Sequence, residues 1–126
     1  MQDKRMYSRI NVDIDAVLFV NNDEYPIQIV NISENGLGFR ILYNDKVSQN
    51  TFSKKSNIVI SFTDEDPLSS FKKKEDEAIM IFEGKIVQIR KHTSHSYIGC
   101  YVNNEEYTSY VTDKKVKNFI QKGVLS

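Results

Sequence analysis

The stretch YPIQIVNISENGLGFRIL, Tyr25 to Leu42, holds two apolar runs, Tyr25–Val30 and Leu37–Leu42, on either side of the hexapeptide NISENG, Asn31 to Gly36. β-branched and aromatic residues broken by a short polar cluster are the pattern of two strands joined by a tight turn. Asn31 and Ser33 can hydrogen-bond nearby backbone, and Gly36 can take the positive φ that a bulged turn needs. Read alone, the hexapeptide is a connection. Further β-rich runs lie outward from it. From Asn11 to Val20, the residues Val12, Ile14, Ala16, Leu18 and Val20 alternate with mostly polar partners, the period of a half-buried strand, and Asn21-Asn22-Asp23 supplies turn chemistry after it. Glu24–Ile32, Asn57–Phe62, Ala78–Arg90 and Tyr97–Val102 complete a set of six strands together with Asn11–Val20 and Leu37–Leu42. Helical periodicity is absent before the C-terminus. The pattern predicts an all-β domain, a small closed barrel or a sandwich. Gly84 interrupts the longest run and is the expected site of a bulge or bend.

Two polar stretches, Asn44–Ser56 and Thr63–Glu77, are too hydrophilic for a core and read as surface connections, the second a mixed-charge excursion. After Asn104 a helix is expected from Thr112 or Asp113 to about Gln121, with Val116, Phe119 and Ile120 on one face and Gly123 stopping it. Tyr107, Tyr110 and Val111 fall on a different helical face, which predicts a break near Thr112.

The 126 residues suffice for one core but not two. Seventeen Lys+Arg balance seventeen Asp+Glu, so no global field favours nucleic acid or a membrane surface and any anion site must be local. The lone Cys100 cannot form an internal disulfide, which suits a reducing compartment. The opening MQDKRMYSR lacks an apolar signal region, and no run is long enough to span a membrane. The expected location is the cytoplasm.

A second polar element heads the first strand. Arg5-Met6-Tyr7-Ser8-Arg9 offers two guanidinium forks beside Lys4, opposed only by Asp3. Each fork can meet a phosphate or the O6/N7 edge of guanine bidentately, and each can stack on a base. By themselves the two arginines also fit a solvated terminal tail. Other chemistry is poorly supported: His92, His95 and Cys100 have irregular spacing and no fourth metal partner. Ser33 lacks a recognisable hydrolase partner, there is no phosphate-binding glycine loop, and Asp13 and Asp15 read as solvated. Neither an enzyme nor a bound metal or cofactor is expected. The tyrosines and phenylalanines, mostly at strand positions, read as core rather than as a base-stacking surface.

R-x-x-x-R followed by N-x-S-x-x-G is the paired motif of the PilZ domain family, which this chain resembles. Arg5 and Arg9 supply the first half, and Asn31, Ser33 and Gly36 the second. Leu37-Gly38-Phe39, Gly84-Lys85-Ile86-Val87 and Tyr97–Val102 are similar to the family's later strands, so the resemblance spans nearly the whole chain. It implies a six-stranded antiparallel PilZ-type β-barrel with a short C-terminal α-helix. It also implies binding of the second messenger cyclic di-GMP. The implied division is a single domain, 1–126: a mobile ligand-binding arm at 1–10 that ligand orders, a barrel at 11–102 and a helical segment at 103–126. The implied contacts are Arg5 and Arg9 on guanine or phosphate, Asn31 and Ser33 as hydrogen-bonding groups, and Gly36 as a place of close approach. Lys4, Gly38 and Arg40 are second-rank candidates; Arg40 reads equally as a solvent-facing strand residue. Asn35 stands where many members carry glycine, and asparagine also tolerates positive φ. A downstream protein partner is implied but not named. The competing readings are a small barrel for single-stranded nucleic acid, which neutral charge disfavours, and a protein-interaction module without ligand.

Overall fold

A computed structural model describes residues 9–63 and 79–125, with side chains as far as Lys117. Its elements are β1 (Ile10–Val20), β2 (Asp23–Ser33), β3 (Gly36–Leu42), β4 (Asn57–Thr63), β5 (Ile79–Lys91), β6 (His95–Tyr101) and α1 (Glu105–Leu125). The strands form a closed antiparallel barrel in the order β1-β2-β3-β6-β5-β4. Pairing of β1 with β4, from Ala16↔Phe62 to Phe19↔Val59, completes the ring. The expected six-stranded barrel is therefore present, with strand bounds shifted by one or two residues. Ile10 already belongs to β1, and Ala78 lies outside the described residues.

Alternation fills the barrel. Ile14, Ala16, Leu18 and Val20 of β1 point inward and meet Ile27, Ile29 and Ile32 of β2, Phe39 and Ile41 of β3, and Ile98 and Cys100 of β6. Each fully buried side chain of this size contributes roughly 1.5–3 kcal/mol. The stretch Asn44–Ser56 is not wholly a surface connection, because Val47 and Phe52 return to the core. The Asn44 Oδ1 accepts from the backbone N–H groups of Lys46 and Val47, which turns the chain inward, and Phe52 meets Tyr25 edge-on at 5.4 Å. Apart from Thr63, the Thr63–Glu77 excursion lies outside the described residues.

The C-terminal helix differs from expectation. It is one element of 21 residues with no break at Thr112, it starts at Glu105, and it passes through Gly123. Asn104 is its cap: the side-chain oxygen accepts from the Tyr107 N–H at 2.9 Å, which satisfies an otherwise orphaned donor. Glu105 and Glu106 suit the positive end of the helix dipole. Tyr107 and Val111, one turn apart, are fully buried, and the Tyr107 ring packs on Phe82 at 4.7 Å. Val116 is half exposed, and the buried stripe among the described side chains is that of Tyr107 and Val111. Phe119 and Ile120 lie beyond the described side chains.

The long strand is irregular at a different place from the one expected. Register is continuous through Ile58↔Gly84, and the shift falls between Ile86 and Gln88, at Val87.

Candidate functional site

β1 and β2 bring the two polar elements of the sequence together. Ile10 pairs with Ile32 and Asn11 with Asn31, so Arg9, exposed and immediately before Ile10, begins beside the hexapeptide. Lys4 and Arg5 lie outside the described residues, as does the 1–10 arm except for Arg9 and Ile10.

The hexapeptide contains the end of β2, the two-residue turn Glu34-Asn35 and the start of β3, with Ser33 paired to Gly36. Neither Asn35 nor Gly36 has positive φ: among the described residues only Asn21, Asn22 and Lys55 do. Glycine is required at 36 for space instead. A Cβ there would stand 2.6 Å from the Cys100 carbonyl oxygen of β6. The turn is held from outside by three consecutive carbonyls. Glu34 O accepts from Thr108 Oγ1 at 2.8 Å, Asn35 O from the Val102 N–H at 2.9 Å, and Gly36 O from the Tyr107 hydroxyl at 2.6 Å. Burial pushes the Tyr107 hydroxyl well above the ordinary tyrosine range, so it remains a neutral donor. The Lys115 ammonium meets the Glu34 carboxylate at 2.6 Å.

The motif side chains are in different states. Ser33 is buried, and its hydroxyl faces Asn35 Oδ1 at 3.3 Å and Gly36 O at 3.4 Å. Both distances are long for a hydroxyl, and one proton cannot serve both acceptors at once, so its commitment to the turn is weak. Asn31 lies on the outer face and donates from Nδ2 to the Tyr97 hydroxyl at 3.0 Å. Gly38, the partner of Asn31 across the β2–β3 pair, is where Tyr97 lies down: a Cβ at 38 would fall 2.0 Å from the Tyr97 hydroxyl oxygen. The Arg90 guanidinium sits over the Tyr97 ring, 4.8 Å from its centre. Arg40 does share a face with Gly38. It donates to Gln28 Oε1, and Gln28 donates to Asp13 Oδ1, so Asp13 belongs to a chain across three strands and is not simply solvated.

Tyr97 and Arg90 were not recognisable as site residues. Tyr97 reads in sequence as one more strand aromatic. Only the order β3-β6-β5 sets Arg40, Tyr97 and Arg90 side by side in one row. The one usable signal was Gly38, whose missing side chain leaves room for the Tyr97 ring.

His92 and His95 stack at 4.6 Å beside the β5–β6 connection, whereas Cys100 is buried and its thiol is pushed up to about 12 by that burial. Among the described residues, no group of three or more His, Cys, Asp or Glu is placed to hold a metal. No helix among them is long and apolar enough to cross a membrane.

A family model described as the PilZ domain matches residues 3–114. Among solved structures, the chain is similar to the Bacillus subtilis inhibitor of motility (MotI/DgrA), with a TM-score of 0.69 and 13% identity over 96% of this chain and 54% of that one. It is also similar to the PilZ domain of Escherichia coli YcgR, solved with c-di-GMP, with a TM-score of 0.63 and 10% identity over 95% and 99% of the two chains. A third is the Borreliella burgdorferi PlzA protein in complex with c-di-GMP, with a TM-score of 0.55 and 10% identity over 90% and 52%. The chain thus spans about half the length of MotI and PlzA. No curated protein matches it by sequence. At such identities the structural likeness concerns the fold.

Proposed function

Because the chain belongs to the PilZ domain family, we propose that it is a cyclic di-GMP receptor in the cytoplasm whose output is binding, not chemistry. The observation that carries this reading is the register of β1 on β2, which sets Arg9 beside the Asn31–Gly36 turn. Two guanines and two phosphodiesters call for fork donors, stacking partners and short polar groups. Arg5 and Arg9 supply the forks, with Lys4 beside them. Asn31 and Ser33 supply the short polar groups, and Gly36 lets the turn lie close against β6. Tyr97 and Arg90 extend the surface from Asn31 and Gly38 toward β5, where an aromatic face and a cation suit a base and a phosphate. Arg40 lies next in the same row. Occupancy of this face is what a downstream protein partner reads.

Titration calorimetry with cyclic di-GMP, cyclic di-AMP and a short single-stranded oligonucleotide tests the proposal. Cyclic di-GMP is expected to bind with a dissociation constant of about 1 μM or tighter. Cyclic di-AMP should bind at least ~10-fold more weakly, because adenine sets an N6 donor where guanine has the O6 acceptor that a guanidinium needs. Arg9→Ala should weaken cyclic di-GMP by about 10-fold or more, the worth of one bidentate base contact. Its melting point should hold, because Arg9 is exposed. Equal affinity for the two cyclic dinucleotides overturns the guanine assignment. Binding of the oligonucleotide alone moves the chain to the single-strand class.

A further inference from the structure

We infer that Lys115 of α1 is a positioning residue of the ligand site, cancelling a carboxylate that the motif turn carries beside an anionic ligand; the inference rests on the receptor reading above. Glu34 falls between Ser33 and Asn35, in the turn that is to receive a ligand with two negative phosphodiesters. An unpaired carboxylate there repels the ligand. Lys115 meets it at 2.6 Å, and the two side chains are only 20% and 19% exposed, so solvent and salt screen the pair less than a surface ion pair.

The helix is built to deliver this charge. Tyr107, Val111 and Lys115 follow at intervals of four and lie on one stripe of α1, with Thr108 next to it. Along that stripe Tyr107 and Thr108 hold the carbonyls of Gly36 and Glu34, Val111 enters the core, and Lys115 reaches the Glu34 side chain. Docking the helix therefore does two things together: it fixes the backbone of the turn and removes its charge. Linkage makes this reciprocal, so ligand at the turn favours the docked helix, and anything that draws the helix away weakens the ligand. In this way α1 becomes the element through which occupancy of the face is reported.

The test is calorimetry on the full chain with cyclic di-GMP, at about 0.05 M and about 0.5 M salt, for the parent and four variants. Lys115→Gln should bind about 5-fold more weakly than the parent at low salt, the lower end of typical site-to-site coupling, and the deficit should shrink at high salt. Lys115→Arg should bind within about 2-fold of the parent, because it keeps the charge. Glu34→Gln should bind at least as tightly as the parent, and Glu34→Gln/Lys115→Gln should regain parent affinity. That rescue cannot come from a lysine that merely packs. Parent-like binding by Lys115→Gln, or a double variant as weak as Lys115→Gln, overturns the inference while leaving the receptor reading intact. A parent chain that binds no cyclic di-GMP overturns the receptor reading and this inference with it.

Discussion

Two hairpin turns of equal length behave differently in this barrel. Asn21-Asn22 joins β1 to β2 with φ of 53° and 70°, the left-handed pair that a type I′ turn requires, so its geometry is written in its own two residues. Glu34-Asn35 joins β2 to β3 with no positive φ, and its carbonyls are held by Thr108 of α1 and by Val102, just after β6. One turn is local and the other is imposed from the far end of the chain. A turn held from elsewhere can be altered from elsewhere, which is what the proposed receptor role of this turn requires.

The harshest way to break the contrast is Gly36→Val. A Cβ 2.6 Å from the Cys100 carbonyl must push β3 off β6, and the branched side chain adds further bulk. Unfolding by urea should show a loss of about 3 kcal/mol, the upper range for overpacking, with cyclic di-GMP binding abolished. A parent-like midpoint would mean that the close approach of β3 and β6 is not needed. Next comes Tyr107→Phe, which deletes only the hydroxyl that serves Gly36 O. The Gly36 carbonyl would lose its short donor and keep the long Ser33 contact, which should cost about 1 kcal/mol. If the clamp serves the site, calorimetry should show weaker binding as well; lost stability with parent affinity would separate the clamp from the ligand.

The same contrast explains what the sequence could disclose. Strand periodicity, the Asn21-Asn22 turn and the order of the two motifs rest on neighbours in the chain, and they were legible. The origin of the glycine requirement at 36 was not, because the atom it avoids belongs to Cys100. Nor was the start of α1. Tyr107 and Val111 look off-face when the helix is judged by Val116, Phe119 and Ile120, and only contacts with the barrel, such as Tyr107 with Phe82 and Gly36, make them the docking stripe. Val47 and Phe52 were lost in a polar stretch whose inward turn is held by the Asn44 side chain and by Asn44–Val47 backbone hydrogen bonds. Tyr97 and Arg90 required the strand order. Apart from the local Asn44 and Asn104 contacts, the omissions are contacts between residues distant in sequence, and the candidate site is made largely of such contacts.

Ser33→Ala is gentler and asks whether the hydroxyl belongs to the turn or to the ligand. Its two contacts, at 3.3 Å and 3.4 Å, are weak, so the loss of stability should stay below about 1 kcal/mol. If the hydroxyl turns to a ligand phosphate or guanine, affinity should fall by roughly 5- to 20-fold, the equivalent of one contact to a charged or strongly polar group. Unchanged affinity in calorimetry would remove Ser33 from the site and leave Asn31, Arg5 and Arg9 in it.

The smallest effect belongs to the local turn, and it is the control that sharpens the comparison. Asn22 holds φ of 70°, a conformation in which an L side chain is strained and glycine is not, so Asn22→Gly relieves the folded state. The same change loosens the unfolded chain, which then loses more entropy on folding. The two terms oppose each other, and the net change in stability should lie within about 0.5 kcal/mol of zero. The Asn21-Asn22 turn adjoins the end of β2 opposite the one that carries Asn31, so cyclic di-GMP affinity should match the parent. Calorimetry and thermal melting on this one variant check both halves. A shift in affinity comparable to that of Ser33→Ala would show that the first turn is not insulated, and the division between a locally written turn and a clamped one would have to be given up.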